Sequence, residues 1–320
     1  LRDILNSERL VFDIIKEELL EIRDKFGDER KTKIVAAEGE IDLDDLIKEE
    51  QTVVALTHFG YIKRVPIDTY RSQKRGGKGI TGMATRENDF VKQIFTASTH
   101  DTILFFTNKG KLYHLRGYEV PEAGRTAKGT AIVNLLSLDA GEKVSAVIPI
   151  QNFAEGKYLL MATKNGLIKK TALKEYDSAR KTGLQGITLK ENDELIGVRL
   201  TDGQDNVVLV TRNGMCITFD EKDVRPIGRV SQGVIGIRLD EDDEVIGMES
   251  VIAGGKATLL AITENGFGKR TELDEYRVQN RGGKGVVTYK ITPKTGKIVG
   301  VRIATEDDDV MLVTDTGTII

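Results

Sequence analysis

The chain contains few cysteine, proline and aromatic residues. Its single cysteine, Cys216, can form no disulfide within the chain, which fits a reducing compartment such as the cytosol. Tryptophan is absent and aromatic residues make up only 6%, which argues against a surface that stacks bases. No apolar run has the length of a membrane-spanning helix, and the N-terminus lacks the pattern of a signal peptide. The composition therefore predicts a cytoplasmic protein without a membrane segment.

The net charge of −3 hides an asymmetry along the 320 residues. Residues 1–50 carry 16 acidic and 9 basic side chains, whereas residues 51–320 carry 34 acidic and 38 basic ones. An acidic leader thus precedes a mildly basic body, which is a weak indication of an anionic partner.

One pattern recurs six times after residue 50. An apolar run is followed by a short polar turn, a glycine and a second run of strand-forming residues, as in a β-hairpin. Three copies place Asn before the glycine, which suits a turn with positive φ at adjacent residues. The turn glycines, 48 to 56 residues apart, are Gly60, Gly110, Gly166, Gly214, Gly266 and Gly317.

A second glycine follows each of the first five turn glycines after 19 or 20 residues, and a closing apolar strand ends each repeat. These glycines are Gly79, Gly129, Gly186, Gly233 and Gly285. Each repeat of about 50 residues thus holds roughly four strands, the size of a propeller blade. The predicted fold is all-β, with six propeller-like blades preceded by an N-terminal α-helix. A linear β-solenoid or a pair of sandwiches is the alternative.

The sixth repeat has a hairpin pattern at 310–320, with neither a glycine loop nor a closing strand before Ile320. We therefore expect the last blade to be truncated in this chain and the natural protein to continue beyond it.

The leader shows helical periodicity, with a glycine stop at Gly27. Its apolar seam, at spacings of three and four, comprises Phe12, Ile15, Leu19, Ile22 and Phe26. This seam fits either the end of a longer coiled-coil arm or an amphipathic helix docked on the sheets. The predicted organisation is an arm at 1–32, a linker at 33–50 and the repeats at 51–320.

The glycine loop of the first repeat reads QKRGGKG and combines cations with open backbone, which suits phosphate contacts. Its residues are Gln73, Lys74, Arg75, Gly76, Gly77, Lys78 and Gly79. Residues 279–285 read QNRGGKG, and 124–130, 180–186 and 228–234 are degenerate versions. Cations of these later loops are Arg125, Lys128, Arg180, Lys181, Arg229, Arg281 and Lys284. The alternative interpretation is a set of blade-to-blade turns with solvated cations.

Pairs of cations follow the hairpin turns of repeats one, three and five. They are Lys63 and Arg64, Lys169 and Lys170, and Lys269 and Arg270. Equivalent positions share one rim in a ring of blades, so the pairs predict a discontinuous basic track for bent duplex DNA. The alternative is that they are outward edge-strand lysines that oppose aggregation.

Patterns for other chemistry are missing. No phosphate-binding loop of the nucleotidase type is present, and His58, His100 and His114 lack the spacing of metal ligands. The acidic runs lack the calcium-loop pattern. No nucleophile–base arrangement is visible, so the sequence predicts no catalytic or metal site in this chain.

The segment QKRGGKG resembles the gyrase A box of the bacterial DNA gyrase A family. Flanking stretches at 57–64, 68–79, 98–122 and 193–203 resemble the same family, and QNRGGKG resembles its later box-like loop in Gram-positive members. The resemblance covers essentially the whole chain and includes the end of the coiled-coil arm. Lys74 departs from the usual arginine and loses its bidentate fork, although it keeps the charge.

The resemblance implies a β-pinwheel whose blades exchange strands and whose basic perimeter wraps duplex DNA with positive sense. Such wrapping enables ATP-dependent negative supercoiling by a type IIA topoisomerase. The implied partners are double-stranded DNA, the B subunit of gyrase and a second copy of its A subunit, in a heterotetramer associated with the nucleoid. The family's cleavage tyrosine and ATP site lie outside this chain, so Mg²⁺ and ATP are expected only in the complete enzyme.

Two other functions remain open at this point. One is the corresponding domain of the related topoisomerase IV, against which the intact box argues. The other is a protein-interaction propeller without a role in nucleic-acid binding, for which exposed apolar patches are more typical than basic glycine loops.

Overall fold

The computed structural model describes residues 4, 6–29, 32, 43–69, 83–84, 86–87, 89–178, 182–252, 254–306 and 308. The chain divides into two compact units, Leu1–Leu46 and Ile47–Ile320. In the first unit, helix α1 spans Glu8–Phe26 and the short helix α2 spans Leu43–Leu46. None of the described helices is long and apolar enough to cross a membrane.

Helix α1 carries the predicted apolar seam on its surface. None of its side chains is buried, and Phe12 and Phe26 are 68% and 71% exposed. The helix ends at the predicted glycine, where the N–H of Gly27 donates to the carbonyl of Arg23. The assignment of residues 1–32 to a coiled-coil arm stays a prediction.

The second unit forms five antiparallel sheets within the described residues, one on each repeat. Each sheet places the first hairpin strand between the closing strand and the second hairpin strand. The hairpin strands are β1 (Gln51–Thr57) and β2 (Tyr61–Pro66), β4 (Thr102–Thr107) and β5 (Lys111–Arg116), β8 (Tyr158–Thr163) and β9 (Leu167–Ala172), β12 (Asp205–Thr211) and β13 (Met215–Asp220), and β16 (Thr258–Thr263) and β17 (Gly268–Glu272). The closing strands are β3 (Val91–Ser98), β7 (Val144–Ile150), β11 (Leu195–Thr201), β15 (Val245–Ile252) and β19 (Ile298–Ala304).

A short strand is exchanged between neighbouring repeats. It follows the glycine loop of one repeat and pairs with the second hairpin strand of the repeat before it. The exchanged strands are β6 (Thr130–Ala131) on β2, β10 (Leu184–Gln185) on β5, β14 (Val234–Ile235) on β9 and β18 (Val286–Val287) on β13. This pairing confirms the strand exchange that the resemblance implied, and it means that a glycine loop is part of the seam between two blades.

The prediction of six blades is wrong, because the described part of the chain forms five. The sixth blade was inferred from the hairpin pattern at 310–320, which lies outside the described residues. A blade in this fold needs a hairpin and a closing strand, and residues 306–320 contain sequence for a hairpin at most.

The hydrophobic core lies between the blades rather than inside any one of them. Alternate residues of β4 face opposite neighbours: Ile103 and Phe105 pack with the first blade, whereas Leu104 and Phe106 pack with the third. Both faces of the first hairpin strands in blades two, three and four are therefore buried, which explains why these strands read as continuous apolar runs rather than as alternating ones. Similar clusters join blades three and four, and four and five.

The hairpin turns combine a threonine with a left-handed glycine. The hydroxyl of Thr57 accepts from the N–H of Tyr61 at 3.0 Å, and Thr211 accepts in the same way from Met215 at 3.1 Å. The first five turn glycines have φ between 74° and 92°. The predicted hairpins are thus confirmed. The expectation of positive φ at adjacent residues is wrong, because the residue before the glycine does not have it.

The glycine that directly precedes each of the four described exchanged strands is required by the strand exchange. At Gly285, φ is +78°, and an added Cβ would lie 2.3 Å from the carbonyl oxygen of Cys216 in the preceding blade. A side chain there would strain the backbone and push the exchanged strand away.

We expect Gly285→Ala to lower the free energy of unfolding by about 3 kcal/mol, since a left-handed backbone and a steric clash add together. Gly228→Ala is the control, because an added Cβ there meets nothing within 4 Å, and it should change stability by less than about 1 kcal/mol. Urea unfolding of both variants measures the difference. Equal losses would show that the clash at Gly285 is relieved by a small shift.

Candidate nucleic-acid interface

The glycine loops of repeats two to five lie along the outer edge of the stacked blades. Closing strands β7, β11, β15 and β19 contact one another in succession, so this edge of the sheets is the inner one. The exchanged strands occupy the opposite edge of the first four sheets, and the glycine loops of repeats two to five lead directly into them. Successive loops therefore follow one another along the perimeter of the second unit.

The structure corrects the alignment of the third loop. The sequence interpretation paired Gly186 with Gly129, but Gly183 has the matching positive φ, 82° against 77°. Leu184, directly after Gly183, pairs with Leu112 of the preceding blade, in the register that the other exchanged strands use. This loop thus ends three residues earlier than predicted, which moves its cations to different loop positions.

Several predicted DNA-binding residues lie outside the described residues. They are the whole box Gln73–Gly79, with Lys74, Arg75 and Lys78, and the loop cations Arg180 and Lys181. Their proposed roles stay predictions that depend on the repeat pattern alone.

Three of the strand-borne cations lie inside the protein. Lys63 and Lys169 are both 0% exposed, and Lys170, which follows Lys169 in the sequence, is also buried. The Lys170 ammonium donates to the carbonyl of Glu221 at 2.9 Å and lies 3.6 Å from its carboxylate. The premise that these three side chains form an exposed track, or guard an exposed edge, therefore does not hold.

The other paired cations are partly neutralised. Arg64 is half-buried and forms ion pairs with Glu122 at 3.0 Å and with Glu50 at 3.6 Å. In the fifth blade Arg270 is exposed and pairs with Glu306 at 2.8 Å. Lys269 is exposed, and its ammonium donates to the carbonyl of Thr288 at 3.3 Å.

The loop cations differ in their exposure to solvent and in their contacts with the rest of the protein. Lys128 is exposed, whereas Arg125 and Arg229 are half-buried. Arg281 donates to the carbonyls of Asp223 and Ile235, at 3.0 Å each, and so joins its loop to the fourth blade. Lys284 is exposed but forms an ion pair with Asp240 at 2.5 Å. Some of these cations thus both hold the loops in place and face solvent.

Two exposed arginines were missed by the sequence interpretation. Arg225 and Arg277 precede Arg229 and Arg281 by four residues each, and Arg71 precedes Arg75 by the same distance. Arg277 lines a cavity of about 270 Å³ at the seam between blades four and five. The recurring four-residue spacing could have identified these arginines from the sequence. It places one further cation shortly before each of these loops.

The described residues contain no group of three or more His, Cys, Asp or Glu side chains that fits a metal ion. Burial raises the pKa of the Cys216 thiol to about 12, so this cysteine is packed as an apolar residue rather than poised as a nucleophile.

Four four-stranded sheets and one three-stranded sheet, joined by exchanged strands, define the second unit as a β-propeller of the strand-exchanged type. The family model described as DNA gyrase C-terminal domain, β-propeller, matches residues 51–98, 101–151, 157–202, 205–252 and 257–305. The chain belongs to this family. The five matched segments coincide with the five blades.

Curated relatives extend the match to the leader. The A subunit of DNA gyrase from Clostridium acetobutylicum is 54% identical over 317 residues, which is 99% of this chain and 38% of that protein. Its counterpart from Staphylococcus aureus is 45% identical over 322 residues, 100% of this chain and 36% of that protein. The chain thus spans less than two-fifths of these relatives.

Two solved structures share the fold and part of the sequence. The C-terminal domain of DNA topoisomerase IV superposes with a TM-score of 0.73 at 31% identity, covering 86% of this chain and 84% of that one. The DNA gyrase A C-terminal domain superposes with a TM-score of 0.68 at 28% identity, covering 85% and 88%.

Proposed function

We propose that this chain binds duplex DNA along its outer edge and wraps it with positive sense, in the service of negative supercoiling by a DNA gyrase. The observation that carries this proposal is the succession of cation-bearing glycine loops in repeats two to five, each of which leads into the strand that is exchanged onto the outer edge of the preceding blade. Cations spaced along a curved edge neutralise phosphates without reading bases, and they favour a bent duplex.

Exposed cations lie on or beside three of the glycine loops. Lys128, Arg225 and Arg277 are exposed cations on or beside three of them, and the box at 73–79 would add three more cations in the first repeat. Each phosphate contact is expected to contribute about 0.9 to the slope of log affinity against log salt. Binding should therefore be strong at low salt and largely independent of sequence.

The partners and cofactors follow from this proposal. The chain would work within an assembly of two A and two B subunits. The remaining parts of that enzyme would cleave DNA and hydrolyse ATP with Mg²⁺. Relatives named as the A subunit of gyrase match 99% to 100% of this chain at 45% to 54% identity, and these matches support the assignment.

A topological experiment tests the proposal. The chain is incubated with nicked circular plasmid, the nick is sealed with ligase, and the linking number is read after the protein is removed. We expect a positive shift that grows with protein concentration, because a positive wrap is trapped at sealing.

A charge-reversal variant tests whether the wrapped DNA contacts the edge that carries the glycine loops. Lys128→Glu, Arg225→Glu and Arg277→Glu combined should remove most of the shift. The matched control combines Lys109→Glu, Lys143→Glu and Lys190→Glu, which are exposed cations on or near the hairpin turns, and should keep it. No binding by the unchanged chain would instead favour a protein-interaction propeller.

A further inference from the structure

A buried lysine in the first blade holds the glycine loop of the second. The Lys63 ammonium donates to three carbonyl oxygens of that loop: Gly124 at 3.1 Å, Arg125 at 2.5 Å and Ala127 at 3.0 Å. The N–H of Ala127 also donates to the carbonyl of Gly124 at 2.9 Å, which closes a turn around the ammonium.

The third blade repeats this arrangement. Lys169 occupies the position of Lys63 in its hairpin, and its ammonium donates to the carbonyl of Arg229 in the fourth repeat's loop. It also donates to the carbonyl of Gly186 at 2.7 Å. The loop closes the equivalent turn, from the N–H of Ser231 to the carbonyl of Gly228 at 3.1 Å.

Blades two and four use a different side chain at this position. Tyr113 and Ile217 occupy it, and they lie against Gly183 and Gly283 of the following loops. The position therefore always supports the next loop, with an ammonium in blades one and three and with an apolar or aromatic surface in blades two and four.

We propose that Lys63 and Lys169 are positioning residues that hold the glycine loops of the next blade in the conformation that contacts DNA. The proposal rests on the proposed function for its consequence, although the contacts with the loops stand without it. Because the ammonium binds the loop carbonyls from within the blade, it fixes the backbone of the loop that carries the exposed Lys128 and the half-buried Arg125 and Arg229. These cations are the groups of the two loops that can reach an anion.

The buried position is costly for a cation, and the protein keeps the cation nonetheless. Burial, with a smaller effect of the Arg229 charge, lowers the pKa of Lys169 to about 8. Besides Arg229 of the following loop, Glu175 in the turn after β9 faces this ammonium and favours its charge. At pH 7 the charged form with three donors still predominates, so the loop carbonyls retain their partner.

Hydrogen exchange of the 320-residue chain at pH 7 tests the loop contacts directly. In Lys63→Met, the Ala127 amide should exchange at least about tenfold faster, because its turn loses the central donor. The Ser231 amide in the other loop should be unaffected. In Lys169→Met the Ser231 amide should exchange faster and the Ala127 amide should be unaffected. Each variant therefore shows that the rest of the other variant is folded.

A conservative variant separates charge from packing. Lys63→Arg keeps a cationic donor and should leave Ala127 exchange within about threefold of the unchanged chain. If Lys63→Arg and Lys63→Met loosened the loop equally, or if Lys63→Met left Ala127 unchanged, the proposal would be overturned. Either outcome is independent of whether the chain binds DNA.

DNA binding then tests the consequence. Lys63→Met should weaken binding of long duplex about threefold or more while changing the salt slope by less than about 0.5, since no phosphate contact is lost. Lys128→Gln, an exposed cation of the same loop, should lower the slope by about 1. Faster exchange with unchanged DNA affinity would keep the structural contact but refute the positioning role. No DNA binding by the unchanged chain would refute the proposed function instead.

Discussion

Replacing Arg75 and Lys78 by glutamine is expected to abolish negative supercoiling of relaxed plasmid by the complete enzyme while leaving ATP-independent relaxation largely intact. Relaxation needs cleavage and strand passage, whereas supercoiling also needs a wrapped segment of fixed hand. The box supplies the densest group of cations among the glycine loops, so its loss should remove the contact that starts or holds the wrap.

Replacing only Arg75 and Lys78 by glutamine is more informative than replacing every residue of the box by alanine. Gly79 corresponds to Gly129 and Gly285 in the repeat, and those glycines have positive φ and approach the preceding blade closely. Alanine at such a glycine disturbs the fold, so an all-alanine box would mix a change of fold with a loss of charge. Glutamine at Arg75 and Lys78 removes charge and keeps every glycine.

The later loop provides a matched control. Arg281→Gln with Lys284→Gln makes the same two changes in QNRGGKG, where Arg281 already donates to two carbonyls and Lys284 already pairs with Asp240. We expect the salt slope of DNA binding to fall by about 2 for the box variant and by less for the control. Supercoiling that survives the box variant would show that the box is structural in this protein.

The repeat spacing predicted the blades well because each hairpin needs its own turn chemistry. Each described hairpin turn has a left-handed backbone, which favours glycine. The turn glycines Gly60, Gly110, Gly166, Gly214 and Gly266 therefore mark the five hairpins in the sequence. The count of blades was wrong because a hairpin pattern alone was taken as a blade. The third loop was misaligned because Gly186 fits the spacing of 19 or 20 residues, whereas Gly183 follows Gly166 by only 17. The pairing of Leu184 with Leu112 shows that Gly183 is the equivalent glycine.

The cations could be assigned to loops and strands from sequence, but not to the surface. A lysine on a hairpin strand is normally read as exposed, since its burial is costly. Lys63 and Lys169 are buried because the next repeat's loop folds over them, and this contact exists only through strand exchange. The strand exchange itself entered through the resemblance rather than through periodicity.

Glu221→Gln is expected to lower the free energy of unfolding by about 3 kcal/mol, because it leaves a buried ammonium without its counter-charge. Glu221 is 0% exposed. Its carboxylate accepts from the Thr201 hydroxyl at 2.6 Å and from the Asp205 N–H at 3.3 Å, and lies 3.6 Å from the Lys170 ammonium. The pair joins the third blade to the fourth directly beneath the perimeter.

The double variant Glu221→Gln with Lys170→Met decides whether the ion pair or the packing matters. Removal of both charges should cost clearly less than the sum of the two single changes, because neither charge is then left unpaired. Urea unfolding gives the coupling energy, for which we expect about 1–3 kcal/mol.

The exposed pair of Lys174 and Glu155 serves as the control, since its atoms lie 2.6 Å apart with side chains 65% and 81% exposed. Glu155→Gln should change stability by less than about 1 kcal/mol. Additive losses at Lys170 and Glu221 would mean that the buried cation is satisfied by the Glu221 carbonyl alone. In that case the seam between the blades would depend on its apolar core and on the exchanged strand rather than on this charge pair.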